Sequence, residues 1–219
     1  GITLLDGGSW HIVPTASKNV RIEDVNILGK VITGDGIDVV GCEDVVIRNC
    51  FVRANDDCIS IKAEEYQDPS GCTDVRRVLV EDCLFWNAEF GNALEIGYET
   101  RCDEITDVVF RNCDIVHCQY EGNQSGGVLT IHNADHAHVH NISYEDIRIE
   151  DAQEKFIDIK TLDSKYSRDR NRGMVNDISF KNIEITGGNF PVSIIRGFEM
   201  QNEVCRPHGF SFDNVAVLG

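Results

Sequence analysis

Positive charge is scarce in this chain of 219 residues, where 20 lysines and arginines face 37 aspartates and glutamates for a formal net charge of -17. A surface of that sign repels phosphate backbones and anionic lipid, which argues against nucleic acid or a membrane as partner. No run approaches the roughly 20 apolar residues of a membrane span. The opening Gly1-Ile2-Thr3-Leu4-Leu5-Asp6 has neither the basic start nor the apolar stretch of a secretion signal. A Pro-rich or Ser-rich linker is also missing, so one domain with a single core is expected over residues 1–219. Segments of helical period are lacking too, which excludes leucine-rich and helical solenoids.

What the chain does have is a repeat. An alternating apolar strand interrupted by Asp or Asn recurs from Val20-Arg21-Ile22-Glu23-Asp24-Val25 through Val46-Ile47-Arg48-Asn49-Cys50 to Ser211-Phe212-Asp213-Asn214-Val215. Counted from Asp24 through Asn49, Asp82, Asn112, Asp146, Asn182 and Asn214, the spacings are 25, 33, 30, 34, 36 and 32 residues. A second short strand lies between successive copies, from His11-Ile12-Val13 and Gly36-Ile37-Asp38-Val39-Val40 onward to Val192-Ser193-Ile194-Ile195. Short strands in units of this size predict an all-β fold, a right-handed single-stranded parallel β-helix of about seven coils. The Asp/Asn positions read as turn chemistry. The first coil at Gly1 would otherwise be an unpaired sheet edge, so further N-terminal coils are expected before it.

Nine cysteines are an odd number for a disulfide framework. Cys50, Cys83 and Cys113 follow the Asp/Asn position, where other coils carry Val25, Ile147, Ile183 and Val215, so they are expected as buried thiols in a core stack. The sequence leaves the pairing of Cys42, Cys58, Cys72, Cys102, Cys118 and Cys205 open, and it sets no oligomeric state.

Two stretches depart from the repeat by placing acids beside glycine or beside each other: Gly34-Asp35-Gly36-Ile37-Asp38 and Asn55-Asp56-Asp57-Cys58-Ile59-Ser60-Ile61-Lys62. Asp35 and Asp56 are 21 residues apart, about one short coil, so Asp35, Asp56 and Asp57 should meet at the start of one strand ladder. Crowded carboxylates repel, raising at least one pKa and keeping a proton for donation. Glycoside hydrolysis needs one carboxylic acid for the leaving oxygen and another carboxylate for water or for attack on the sugar. The same residues also suit a turn ending before a strand, or an oxygen-rich calcium site.

The pair of stretches resembles the signature of the polygalacturonase family of glycoside hydrolases, and Ser9-Trp10-His11-Ile12 resembles the strand before it. The resemblance covers roughly residues 1 to 100. It implies Asp56 as general acid, with Asp35 and Asp57 orienting and deprotonating water in an inverting mechanism that uses no cofactor or metal. Lys62, Asn92, Thr130 and His132 are expected to contact substrate, and Glu95, like Asp158 on a strand equivalent to the one carrying Ser60, could line a sugar groove on the outside of the solenoid. Two positions differ from the family pattern: Asn92 stands where the family has the histidine of Gly-His-Gly, and Thr130-Ile131-His132 where it has Arg-Ile-Lys. Residues 101 to 117 resemble the dextranase family, which implies a neutral glycan instead.

A polysaccharide or oligosaccharide is thus the expected partner, and an extracellular or periplasmic setting the expected location. A β-helix lyase, with Lys62 as the basic residue nearest the aspartates, and a non-catalytic glycan-binding solenoid are the alternatives. His136, His138 and His140 have the spacing of a metal pair but no ligand set around them. The loop from Lys165 to Arg172 could bring Arg168, Arg170 or Arg172 to a substrate carboxylate, although such a run is more often solvated. Asn123-Gln124-Ser125 and Asn141-Ile142-Ser143 fit the glycosylation acceptor pattern.

Overall fold

The computed structural model describes residues 1–64, 73–119, 126–189, 191–200 and 203–218. Cys72 and the Asn123-Gln124-Ser125 pattern lie outside these residues. The described residues form strands and turns without a helix, and none of them forms a helix long and apolar enough to cross a membrane.

The chain winds into a parallel β-solenoid. One face stacks Ile37–Val40, Ile59–Ala63, Leu94–Thr100, Gly127–Asn133, Lys155–Thr161 and Ile194–Arg196 as a six-stranded sheet. Six stacked strands enclose about five full turns, fewer than the seven copies of the repeat. His11-Ile12-Val13 does not extend as a strand; Ile12 makes only an isolated bridge to Ile37.

The other faces form one twelve-stranded sheet folded around the Asp/Asn positions. Strands such as Glu43–Arg48 lie before the bend and Phe51–Ala54 after it, whereas His138–Ile149, Val175–Thr186 and His208–Leu218 run through it without a break. All seven ladder residues are left-handed, with φ between 50° and 57°. Asp and Asn tolerate that region because a short polar side chain can bond locally. The amides also join coil to coil: Asn49 Nδ2 donates to Asp24 (2.5 Å), Asn112 to Asp82 (2.6 Å) and Asn182 to Asp146 (2.9 Å). A second left-handed ladder lies five residues earlier in each coil, at Asn19, Asp44, Arg77, Asp107, Asn141, Asp177 and Gly209.

Side chains that alternate inward build the core. Ile37, Val39, Ile59, Ile61, Leu94, Ile96, Leu129, Ile131 and their equivalents are fully or nearly fully buried. Cys50, Cys83 and Cys113 occupy the stack expected of them, each with Sγ near a backbone carbonyl. Cys42 is also a buried thiol, donating to the carbonyls of Pro14 and Val40. Phe110, Tyr144, Phe180 and Phe212 stack face to face, with centroids 5.0, 5.1 and 4.9 Å apart.

Outside the core, Glu23, Arg48, Glu81, Arg111, Glu145, Lys181 and Asp213 pair in register and alternate in sign without a break. Glu81 accepts from Arg48 Nε (2.7 Å) and Arg111 Nη2 (2.6 Å), and these guanidiniums hold its carboxyl below the usual range despite the cost of partial burial.

Candidate active site

The site sits where the chain enters successive strands of the six-stranded sheet. The pairings Ile37↔Ile59↔Leu94↔Leu129 place Asp35, Asp57, Asn92 and Gly127 at equivalent positions on neighbouring coils. Backbone bonds stitch these turns together, from Gly36 N to Asp57 O (2.8 Å) and from Cys58 N to Asn92 O (3.0 Å). Gly36 is required here because a Cβ would lie 2.3 Å from Val52 Cγ1 and 2.4 Å from Cys58 O. Gly91, with φ +67°, leaves the space that Asp56 uses: a Cβ there would lie 2.3 Å from Asp56 Oδ1.

The three aspartates therefore converge on one wall of a cleft of about 890 Å³. The cleft is also lined by Trp10, Lys62, Phe90, Asn92, Tyr98, Glu99, Lys165 and Tyr166. Asp35 and Asp57 are buried and Asp56 is half-buried. Burial first, then the charges of Asp38 and Asp57, push the Asp35 carboxyl up to about 11. Burial, followed by Asp56 and Glu95, raises Asp57 well above the carboxylate range. The cluster accordingly keeps protons at neutral pH.

Asp35 and Asp57 are held from behind. His11 Nδ1 lies 2.7 Å from the Asp35 carbonyl oxygen, and its Nε2 accepts from Gly7 N at 3.1 Å, which fixes the proton on Nδ1. Asn92 donates twice to Asp57 Oδ1, from its backbone N–H (2.8 Å) and from Nδ2 (2.7 Å), while its own Oδ1 accepts from Gly127 N (2.9 Å). Lys62 Nζ lies 3.0 Å from Asp38, 3.6 Å from Asp35, 3.8 Å from Glu99 and 4.1 Å from the Trp10 ring centroid. Burial alone would lower its pKa; Asp38, Asp35 and Glu99 outweigh that and hold it well above the lysine range. Asp38, fully buried beside Lys62, is a member of this cluster that sequence reasoning passed over, although it lies in the same Gly-Asp-Gly-Ile-Asp stretch.

Of the expected substrate contacts, Lys62 and Asn92 line the cleft, whereas Glu95, Thr130 and His132 lie fully buried beneath it. The reason is a bulge. Ile96 pairs with Ile61 but Thr100 with Ala63, so the strand carries two extra residues, which push Tyr98 and Glu99 outward. Tyr98 stacks on His132 at 4.5 Å with the rings 20° apart. Under it, His132 Nδ1 meets Glu95 Oε1 at 3.0 Å, and Nε2 lies 3.4 Å from Asp158 Oδ2, off the line of a hydrogen bond. Thr130 Oγ1 donates to Glu95 Oε2. Burial would lower the His132 pKa, but Glu95 and Asp158 prevail and raise it to about 9.

The loop after Lys155–Thr161 reaches the cleft through Lys165 and Tyr166 rather than through its arginines. Arg168 and Arg170 are exposed and outside the lining, and Arg172 is buried with Nη2 2.5 Å from Asp163. The three histidines of the possible metal pair each meet an oxygen: His136 on Asp169 (2.5 Å), His138 on Asn176 (2.5 Å) and His140 on Glu104 (3.2 Å). Asn141 is one of the second-ladder residues, its amide donating to Asp107.

A parallel β-solenoid with a carboxyl-lined cleft on its six-stranded sheet defines a class of β-helix proteins. Within it, this chain belongs to glycosyl hydrolases family 28, whose model matches residues 1–219. It is 35% identical over 69 residues to a probable polygalacturonase of Vitis vinifera, a match covering 30% of this chain and 14% of that protein. An exopolygalacturonase of Zea mays is 28% identical over 195 residues, covering 84% of this chain and 43% of the maize protein. The crystal structure of a hyperthermoactive exopolygalacturonase from Thermotoga maritima superposes with a TM-score of 0.57 at 16% identity, over 98% of this chain and 51% of that one. The chain thus spans about half the length, or less, of these relatives.

Proposed function

We propose that this chain hydrolyses glycosidic bonds in a galacturonate-containing polysaccharide, outside the cell or in a periplasm, by an inverting mechanism. Asp56 donates the proton to the departing oxygen, and Asp35 and Asp57 orient and deprotonate the water. The observation that carries this reading is the convergence of three aspartates, two with strongly raised proton affinity, on one wall of the cleft. Family membership and the names of the relatives support the reaction and the sugar.

Burial puts the resting protons on Asp35 and Asp57. The acid role goes to the most exposed of the three carboxyls, half-buried Asp56, which receives its proton from a neighbour. Lys62 keeps its proton, which supports hydrolysis over a lyase reaction needing it as base. A neutral glycan is the second reading, favoured by the four acids, Asp35, Asp56, Asp57 and Glu99, that face two lysines in the cleft lining.

Reducing-sugar release from polygalacturonate, rhamnogalacturonan, dextran and galactan tests this, with product ultraviolet absorbance and anomeric NMR followed. Release from polygalacturonate without unsaturation, giving the inverted anomer and lost in Asp56→Asn, is the expected result. Unsaturated product would move the chain to the lyases, and activity on dextran or galactan alone would select the neutral glycan. An aryl galacturonide with a good leaving group separates the roles, because it needs no proton donor. Asp56→Asn should retain activity on it; if Asp57→Asn does so instead, the acid is Asp57.

A further inference from the structure

We propose that Asn87 is the positioning residue of the general acid, holding Asp56 at the angle from which it protonates the departing oxygen. This rests on the acid role given to Asp56 above and deepens it. Asn87 ends the strand Leu84–Asn87 and is fully buried. Its equivalents on neighbouring coils, in register or through isolated bridges, are Ala54, Cys118, Ala152 and Gly188. That stack is small and apolar everywhere except at Asn87, on the coil whose next turn packs against the turn of Asp56. A buried amide there costs free energy unless its polar atoms all find partners.

Asn87 finds them. Its Nδ2 donates to the carbonyl of Asp56 at 2.9 Å and to the carbonyl of Phe90, and its Oδ1 accepts from the Cys118 thiol at 3.7 Å. Two carbonyls on one side leave the amide a single orientation, because a flipped side chain would set oxygen against oxygen.

Those two carbonyls belong to the two segments that place the acid. Asp56 lies in the turn before Ile59–Ala63, and Phe90 precedes Gly91, where a Cβ would lie 2.3 Å from Asp56 Oδ1. The Asp56 carboxyl therefore rests against the Phe90–Gly91 turn, and one amide ties that turn to the backbone carrying the carboxyl. Phe90 N donates to Asn55 O at 2.7 Å and Ala88 N to Ala54 O at 2.9 Å, which keeps the two coils stacked by backbone alone. Removing the side chain loosens the Asp56 peptide within a joint that remains closed. A general acid works only within hydrogen-bond reach of the oxygen it protonates, so a small misplacement is costly.

The test is Asn87→Ala beside Asn87→Asp, which keeps the shape and replaces the donor by an acceptor. Ala54 and Ala152 show that the stack accepts alanine, so Asn87→Ala should fold. It should lower kcat on polygalacturonate by about 10- to 100-fold while KM changes less than about twofold, and Asn87→Asp should be at least as slow. On an aryl galacturonide whose leaving group needs no proton, the loss in either variant should stay below about threefold. Adding Asn87→Ala to Asp56→Asn should slow polygalacturonate cleavage no further, since no acid is left to position. A residue that only holds the turn would depress both substrates alike, so equal losses would overturn the proposal, as would an unchanged kcat or a further loss in the double variant. Each of these leaves the acid role of Asp56 standing. If Asp56→Asn itself loses the aryl substrate as severely as the polymer, the acid assignment fails and the proposal with it.

Discussion

The buried imidazole under Tyr98 should give a pH-dependent stability signal whose sign follows from its carboxylate partners. His132 has a folded pKa of about 9 against 6.5 for an ordinary histidine, because Glu95 and Asp158 favour its charged form more than burial disfavours it. Below pH 6.5 both folded and unfolded chains carry the proton, and the contribution is complete. As pH rises through 9 the folded chain loses it, and the stabilisation disappears. At about 1.36 kcal/mol per pKa unit, the difference between 6.5 and about 9 is worth roughly 3 kcal/mol. Urea unfolding free energies at pH 6, 7.5 and 9.5 should fall by about that much more in the wild type than in His132→Gln. Comparing the two slopes cancels the background of Asp35 and Asp57, whose raised pKa values also erode stability as pH rises. Parallel slopes in the two proteins would refute the charged-network account of this site.

Asn92→Ala removes one donor from Asp57 and the acceptor of the Gly127 N–H, so urea unfolding should show a loss of about 2–4 kcal/mol. The acid limb of the pH–rate profile should move upward as well, since Asn92 favours the Asp57 carboxylate. Gly91→Ala places a methyl against Asp56 at a positive φ, so at least a tenfold loss of kcat is expected with an unfolding cost of about 1–2 kcal/mol. Asp35→Asn replaces a carboxyl that resists ionisation, and should raise the melting temperature at pH 7 while abolishing turnover. That gain should vanish near pH 4, where the unfolded chain is protonated too.

Much of this was legible in the sequence because ladders repeat. Asp24 and its six equivalents mark a bend only a few residue types can make, and the apolar residue after each marks the core stack that Cys50, Cys83 and Cys113 enter. The acid trio was legible for the opposite reason: Asp35, Asp56 and Asp57 break the repeat. The second left-handed ladder escaped because its members fall inside strands, and because Arg77 interrupts the Asp, Asn and Gly series. The outward positions of the six-stranded sheet suggested that Glu95, Thr130 and His132 would face a groove. Nothing local to them announces the two-residue bulge that lays Tyr98 over them. Lys165 was hidden among the arginines of its loop, since which side chain of a loop enters a cleft is decided by distant anchors such as Asp135.

The alternating row from Glu23 to Asp213 carries a consequence for how such a chain can lengthen. Each charge is flanked above and below by its opposite, and like charges directly across from one another are destabilising. Copying one coil within the row sets acid against acid or base against base. Copying two adjacent coils keeps every neighbour opposite. The smallest unit by which this stretch can grow without electrostatic conflict is therefore the pair of coils, and the row acts as a parity check on its own duplication.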